Sequence, residues 1–213
     1  MGKLFLIPGL GADTRIYKHI DFQGHEVVFI NWIEPQKSDT LSSYAQKLID
    51  HYHIEPGSIA IGNSLGGMLA IEIAKRVELN KVILISSIKS IDEAPWYFKF
   101  FKYTRLHKLI PTGKLTTLEF LIEYAFGEMS VEDQQLFADM LRKTSPDFIK
   151  WAIDAILQWD NHVIPKNVYQ ITGDKDHVFS YKRIKDATIV KGGTHVMVFN
   201  NARVINTWLK NIL

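Results

Sequence analysis

Six short, mostly apolar runs alternate along this chain with stretches of helical periodicity. The runs are rich in Val, Ile and Phe, and their apolar residues follow one another instead of alternating with polar ones. A strand of that kind is covered on both faces, as in a parallel sheet between two layers of helices. The sequence therefore predicts an α/β fold with a mostly parallel sheet of about six strands, at residues 3–7, 26–30, 58–61, 81–85, 167–172 and 187–190.

The clearest helical spacing lies in residues 65–77. Leu65 and Leu69 recur on one face, whereas Glu72 and Arg76 share another face at i and i+4. This pattern predicts an amphipathic helix that packs its apolar face on the sheet. Further helices are predicted at residues 41–52 and 202–212.

The longest interval between predicted strands is a block at about residues 89–165. It contains no strand-like run and several helix start and stop signals, including Ser145 followed by Pro146 as N-cap and first helical residue. A chain of 213 residues with 46% apolar content can bury one sizeable core. We therefore expect a single domain over residues 1–213 with an inserted helical block at about 89–165.

The pentapeptide Gly-Asn-Ser-Leu-Gly at residues 62–66 has the G-x-S-x-G pattern of a nucleophile elbow. A serine hydroxyl becomes useful as a nucleophile when a sharp turn exposes it to a base and a substrate together. Glycine at positions 62 and 66 permits that turn, because a Cβ would crowd a backbone passing from strand to helix. The predicted strand before Ser64 and the predicted helix after it are the context that the motif requires.

A serine nucleophile needs a histidine base and an acid, and candidates for both follow Ser64 in the chain. Asp174 and Asp176 come directly after one predicted strand, and His195 follows the last one behind two glycines. Parallel sheets place their sites at this edge of the strands. Of the eight histidines, His195 lies in the loop best able to return over the serine.

These motifs together resemble the α/β-hydrolase superfamily, specifically its serine hydrolases with a helical cap, and the resemblance covers nearly the whole chain. It implies Ser64 as nucleophile, Asp176 rather than Asp174 as acid, and His195 as base. It also implies that the N–H groups of Leu10 and Leu65 form an oxyanion hole. The inserted block at about 89–165 would be the cap over the site.

The cap holds a large share of the aromatic residues of the chain. Most of them are expected to pack the cap helices together, and a subset is expected to line a substrate pocket. An aromatic wall favours an apolar group over a polyhydroxylated one. The pocket residues predicted from the sequence are Trp96, Phe100, Tyr124, Trp151 and Trp159.

The resemblance implies hydrolysis of a carboxylic ester of a small to medium apolar substrate through an acyl-serine, with a thioester or lactone as close variants. Two alternatives remain open. The same triad can cleave carbon–carbon bonds or act as a hydroxynitrile lyase in this superfamily, and some members use the capped pocket as a small-ligand receptor. A dehalogenase would carry aspartate in place of Ser64.

Composition limits the expected partners. A net charge of +2 with scattered Lys and Arg does not indicate nucleic acid binding. Aromatic residues interleaved with Lys99 and Lys102 also fit a membrane-surface segment, but a buried cap helix explains the same pattern. The chain has no cysteine, and its first apolar run is too short for a signal peptide, so a cytoplasmic protein is expected. No cofactor and no metal are implied, and the oligomeric state is left open.

Overall fold

The computed structural model describes residues 2–22, 24–106 and 129–213 of the chain. Its six strands form one sheet in the order β2-β1-β3-β4-β5-β6, and every neighbouring pair is parallel. The predicted sheet is confirmed, and strand ends differ from the predicted ones by no more than two residues. The strands are β1 (Leu4–Ile7), β2 (Val27–Phe29), β3 (Ile59–Asn63), β4 (Lys81–Ile85), β5 (Val168–Gly173) and β6 (Thr188–Val190).

The helices begin and end where local capping chemistry allows. Thr40 and Ser43 form a capping box at the start of the first helix, and His53 ends that helix in the left-handed conformation. Ser145 caps a later helix that has Pro146 in its first turn, as the sequence predicts. The α-helices are α1 (Leu41–Tyr52), α2 (Leu65–Ala74), α3 (Trp96–Thr104), α4 (Val131–Lys143), α5 (Pro146–Gln158), α6 (Met197–Asn200) and α7 (Ala202–Leu209).

The sheet separates two apolar layers. Successive residues of β1 alternate between them: Phe5 and Ile7 pack on the side of α1, α2 and α5, whereas Leu4 and Leu6 pack on the side of α6 and α7. Each such side chain contributes about 1.5–3 kcal/mol when it is fully buried. Burial on both sides explains why the strands read as unbroken apolar runs.

The strand order creates a crevice at the carboxyl ends of β1 and β3. From β1 the chain first adds β2 on one side and then returns to add β3 on the other. The loops leaving the two central strands therefore diverge, and parallel sheets bind ligands at such a point. Ser64 is the first residue after β3.

The helices α3, α4 and α5 lie in the sequence between β4 and β5, and we call them the cap helices. Two tryptophans attach α5 to the rest of the fold. The indole N–H of Trp151 donates to the Asp39 carbonyl at 2.8 Å, and that of Trp159 donates to the buried Glu72 carboxylate on α2 at 2.9 Å.

The Glu72 carboxylate is itself a centre of charge pairing. It is 2% exposed and lies 2.9 Å from the Lys75 ammonium and 3.1 Å from the Arg76 guanidinium. Burial opposes its charge, yet the hydrogen bonds from Lys75 and Trp159 prevail and hold the pKa of Glu72 below its usual range. The end of α5 is therefore fixed to α2 by a hydrogen bond from the Trp159 indole to a buried, charge-paired carboxylate. Within the described ranges, no helix has the length and apolar character needed to cross a membrane.

Candidate active site

The turn at Ser64 is strained in the way that a nucleophile elbow requires. Ser64 has φ 52° and ψ −118°, a conformation that side-chain-bearing residues seldom adopt. A Cβ at Gly62 would overlap the backbone of Gly66, and a Cβ at Gly66 would overlap the Ile7 carbonyl. Both glycines are thus needed for the close approach of strand, turn and helix.

Hydrogen bonds to the end of β4 hold this turn in place. The Ser64 N–H donates to the Ile85 carbonyl at 3.1 Å, and the Ser87 hydroxyl donates to the Ser64 carbonyl at 2.6 Å. A strained residue persists only when its surroundings constrain it from several sides. The serine side chain is left free to face the crevice.

The three residues predicted as a triad form one hydrogen-bonded row. His195 Nε2 lies 2.9 Å from Ser64 Oγ, and His195 Nδ1 lies 2.9 Å from Asp176 Oδ2. His195 is 4% exposed and Asp176 is 5% exposed, so the row is shielded from water apart from its serine end. These are the distances at which a base can accept a serine proton while an acid orients the ring.

The loop at residues 174–179 follows β5, and we call it the acid loop. Its two aspartates have different partners. Asp176 Oδ1 accepts the N–H groups of Val178 and Phe179 at 2.9 and 2.8 Å, which leaves Oδ2 for His195. Asp174 instead accepts the Gly192 N–H at 2.7 Å. Asp174 therefore holds the loop that carries the histidine, and only Asp176 contacts the histidine itself.

Leu10 and Leu65, predicted as oxyanion donors, both lie beside Ser64. Leu65 is the first residue of α2, where the N–H groups have no partner within the helix. Leu10 lines the same cavity as Ser64. A Cβ added to Gly9 would lie only 3.3 Å from Ser64 Cβ, so the backbone before Leu10 passes directly against the elbow. Their role as donors stays a prediction.

The loop that carries Leu10 is anchored to the cap. The Trp32 indole donates to the Ala12 carbonyl at 2.8 Å, and the Asp13 N–H points at Met140 Sδ of α4 at 3.4 Å. Arg15 pairs with Asp13 at 2.7 Å and with Asp139 of α4 at 2.8 Å. These contacts restrict movement of the backbone that passes against the elbow.

A cavity of about 330 Å³ opens beside Ser64 between the sheet edge and the cap helices. Its wall is mostly apolar. The body of the fold contributes Gly9, Leu10, Ala12, Ile16, Asn63, Ser64, Val178, Phe179, His195 and Val196, and the cap helices contribute Tyr97, Phe98, Phe101, Phe137, Ile153, Ile156 and Leu157.

The four predicted pocket residues that the structure describes do not line this cavity, which corrects the sequence-based expectation for them. Trp96 is 72% exposed and Phe100 is 45% exposed, because both lie on the outer face of α3. Trp151 and Trp159 are buried, but they attach α5 to the body of the fold. Tyr124 lies outside the described residues.

Sequence reasoning missed the residues that do form the cap side of the wall. On α3 these are Tyr97, Phe98 and Phe101, each next to a residue that faces away from the cavity. The i and i+4 spacing of Tyr97 and Phe101 indicates a shared helix face. The exposed pair Trp96 and Phe100 has the same spacing, so the spacing alone does not tell which face is turned to the cavity. On α5 the wall is formed by aliphatic residues, Ile153, Ile156 and Leu157, which a search for aromatics passes over.

Within the part of the chain that the structure describes, no group of three or more His, Cys, Asp or Glu side chains could hold a metal ion.

Comparison of the sequence finds no matching family model, and no curated protein matches the chain. Comparison of the structure with solved structures finds proteins of similar fold. A hydrolase from Pseudomonas aeruginosa superposes with a TM-score of 0.79 at 15% identity, covering 99% of this chain and 89% of that one. A thermophilic esterase from Thermogutta terrifontis gives 0.76 at 13% identity, covering 100% and 90%.

A bromoperoxidase from Bacillus anthracis matches as well, with a TM-score of 0.73 at 16% identity, covering 100% of this chain and 92% of that one. The chain has the α/β-hydrolase fold. Since an α/β-hydrolase fold can carry unrelated chemistries, the function has to be argued from the site itself.

Proposed function

We propose that the protein is a serine hydrolase that cleaves a carboxylic ester of a small to medium apolar substrate through an acyl-serine intermediate. The observation that carries this proposal is the row from Ser64 through His195 to Asp176, which opens into the apolar cavity. The esterases among the proteins of similar structure support the same reaction class.

In the first half of the reaction, Ser64 Oγ attacks the ester carbonyl while His195 Nε2 takes the serine proton. Asp176 holds the ring by its Nδ1–H and stabilises the imidazolium cation. The negative charge on the carbonyl oxygen faces the N–H groups of Leu10 and Leu65 and the positive end of the α2 dipole. Collapse of the tetrahedral intermediate expels the alcohol, which takes its proton from His195.

In the second half, water replaces the alcohol. His195 removes a proton from the water as its oxygen attacks the acyl-serine, and the same N–H groups face the second oxyanion. Collapse releases the carboxylic acid and returns the proton to Ser64. A thioester or lactone is cleaved by the same steps with a thiol or an internal alcohol as leaving group.

Turnover of a chemically varied substrate set tests this function. Wild-type protein and Ser64→Ala are assayed with p-nitrophenyl esters, an acyl thioester, a lactone and a hydroxynitrile. We expect ester turnover by the wild type that disappears in the variant. Binding of esters without turnover would favour a receptor, and turnover of the hydroxynitrile alone would favour a lyase; either result would contradict the proposal.

A further inference from the structure

The described part of the cavity wall carries no acidic side chain, no lysine and no arginine. Its polar side chains are Asn63, Ser64, Tyr97 and His195. The Tyr97 hydroxyl already donates to the Val178 carbonyl at 2.7 Å, and Asn63 donates to the Ile85 carbonyl at 3.2 Å. A charged group placed deep in this space would lose its hydration and would find no Lys, Arg, Asp or Glu partner among the described lining residues.

The volume of the cavity limits the length of its occupant. A cavity of about 150 Å³ accommodates benzene, so about 330 Å³ has room for roughly twice as many non-hydrogen atoms. The acyl group is the part of an ester that stays on Ser64 while water replaces the alcohol. The cavity adjoins Ser64 and His195, so an acyl chain held on Ser64 has this apolar space directly beside it.

Two residues of α5 are placed to set the usable length of that space. Ile153 and Ile156 lie at i and i+3, so they share one face of the helix. Both line the cavity and are half-buried, which leaves room at these positions for a larger or smaller side chain. Neighbouring Ala152 and Ala155 are buried in the helix packing instead.

We propose that the substrate class is an ester of an uncharged acyl chain of medium length, and that Ile153 and Ile156 set the chain length. This inference rests on the proposed function and adds the acyl specificity to it. A matched pair of substrates tests the charge requirement: p-nitrophenyl octanoate and the p-nitrophenyl monoester of octanedioic acid, which differ by a terminal carboxylate. We expect kcat/KM to be at least about 100-fold lower for the acid, whereas a difference below tenfold would overturn the inference.

An acyl-length series from acetate to palmitate tests the length requirement. Each methylene that finds room in the cavity should raise kcat/KM by about fourfold, up to an optimum of roughly six to ten carbons. Ile153→Phe and Ile156→Phe should move the optimum to shorter chains, and Ile156→Ala to longer ones. Val131→Phe is the matched control, because Val131 is an exposed cap residue away from the cavity.

The failure of this inference can be told from the failure of the proposed function. A fluorophosphonate reacts with an activated serine without depending on the acyl pocket. Labelling and turnover with a flat length profile would overturn only the acyl specificity. Absence of both labelling and turnover would overturn the proposed function and the acyl specificity with it.

A second, independent observation concerns the contact between α3 and the acid loop. The Tyr97 hydroxyl donates to the Val178 carbonyl, and the Val178 N–H donates to Asp176 Oδ1. Burial, with a smaller contribution from the Asp176 charge, raises the pKa of Tyr97 above its ordinary value, so the hydroxyl remains a hydrogen-bond donor even in mildly alkaline solution. Phe179 of the same loop packs its ring edge-to-face against the His195 ring, with the ring centroids 5.5 Å apart.

We infer that Tyr97 is a positioning residue, which holds the acid loop so that Asp176 keeps its hydrogen bond to His195. Tyr97→Phe removes only the hydroxyl and keeps the ring in the cavity wall. Loss of one such hydrogen bond should lower kcat by about fivefold, with KM within twofold of wild type and a parallel fall in the rate of fluorophosphonate labelling.

Tyr52→Phe is the matched control for this variant. Its hydroxyl also bonds to backbone, at Asn31, but far from the site. We expect that variant to keep wild-type kcat. A wild-type kcat in Tyr97→Phe, or a change confined to KM or to the melting temperature, would overturn the positioning role.

Discussion

The body of the fold and the cap helices form opposite walls of the same cavity, and they differ in how directly the sequence specifies them. On the body side, Ser64, Asp176 and His195 follow strand ends, and the sequence pattern alone brings them to one edge. On the cap side, aromatic content points to residues that face solvent or attach the cap elsewhere. The difference is between positions fixed by backbone geometry and positions fixed by the rotation of a helix.

The rotation of a helix about its axis is hard to predict from sequence to the accuracy that a cavity wall requires. Successive residues of an α-helix are about 100° apart, so a change of one position turns a wall residue into a surface residue. On α3, Trp96 and Phe100 are exposed, while Tyr97 and Phe101 line the cavity. The loops at strand ends are not ambiguous in this way, because the carboxyl ends of parallel strands all lie at the same edge of the sheet.

The largest predicted effect tests the body side of this comparison, and it concerns the two aspartates of the acid loop. Asp176→Asn should lower kcat by about 10⁴-fold, because an amide no longer fixes the histidine tautomer or stabilises its cation. Asp174→Asn keeps an acceptor for the Gly192 N–H and should change kcat by less than about tenfold. Steady-state kinetics on one ester measures both. Equal losses in the two variants would mean that the loop acts as a unit and that Asp176 has no separate role.

A smaller effect is expected where the cap joins the body. Glu72→Gln keeps an acceptor for the Trp159 indole but removes the charge that pairs with Lys75 and Arg76. We expect the free energy of unfolding at pH 7 to fall by about 2 kcal/mol. Urea unfolding followed by fluorescence measures the difference from wild type.

The pH dependence of that difference follows from the lowered pKa of Glu72 in the folded protein. Its unfolded value is about 4.3, so the stabilisation is fully present above about pH 5 and is lost as pH falls through the folded pKa. The other carboxylates are common to both proteins and cancel in the comparison. The gap between wild type and Glu72→Gln should therefore narrow at pH 4. A gap that stays constant with pH would rule out a charged Glu72 as its source.

The smallest effects should separate the two faces of α3. Phe101→Ala removes part of the cavity wall and should raise KM for an apolar ester by about tenfold. Trp96→Ala and Phe100→Ala should leave both KM and kcat within twofold of wild type, because their side chains face away from the cavity. An increase in KM for Trp96→Ala equal to that for Phe101→Ala would place the binding wall on the outer face of α3.

Much of the fold could be predicted from the sequence, because unbroken apolar runs leave few arrangements other than a covered parallel sheet. The site on the sheet edge could be predicted for a related reason. Glycine at positions 62 and 66 is required by contacts with backbone, so the motif itself encodes the geometry. The choice of Asp176 over Asp174 came from family resemblance, and the structure supplies its physical basis in their different partners.

What the sequence did not reveal depends on packing between distant segments. Helical spacing assigns Glu72 to a charged face of α2, yet Trp159 from the end of α5 buries it. Trp151 similarly meets Asp39 across 112 positions of the chain. Local sequence spacing does not indicate a partner so far along the chain, so the roles of these tryptophans are seen only in the folded structure.

The most direct test of the central claim is the site of covalent modification by a fluorophosphonate. Wild-type protein is labelled, digested and analysed by peptide mass spectrometry, with Ser64→Ala and, as a control, the exposed Ser38→Ala treated in parallel. We expect one adduct on Ser64, its absence in Ser64→Ala, and its persistence in Ser38→Ala. An adduct on another residue, or labelling that survives in Ser64→Ala, would contradict the assignment of Ser64 as the nucleophile.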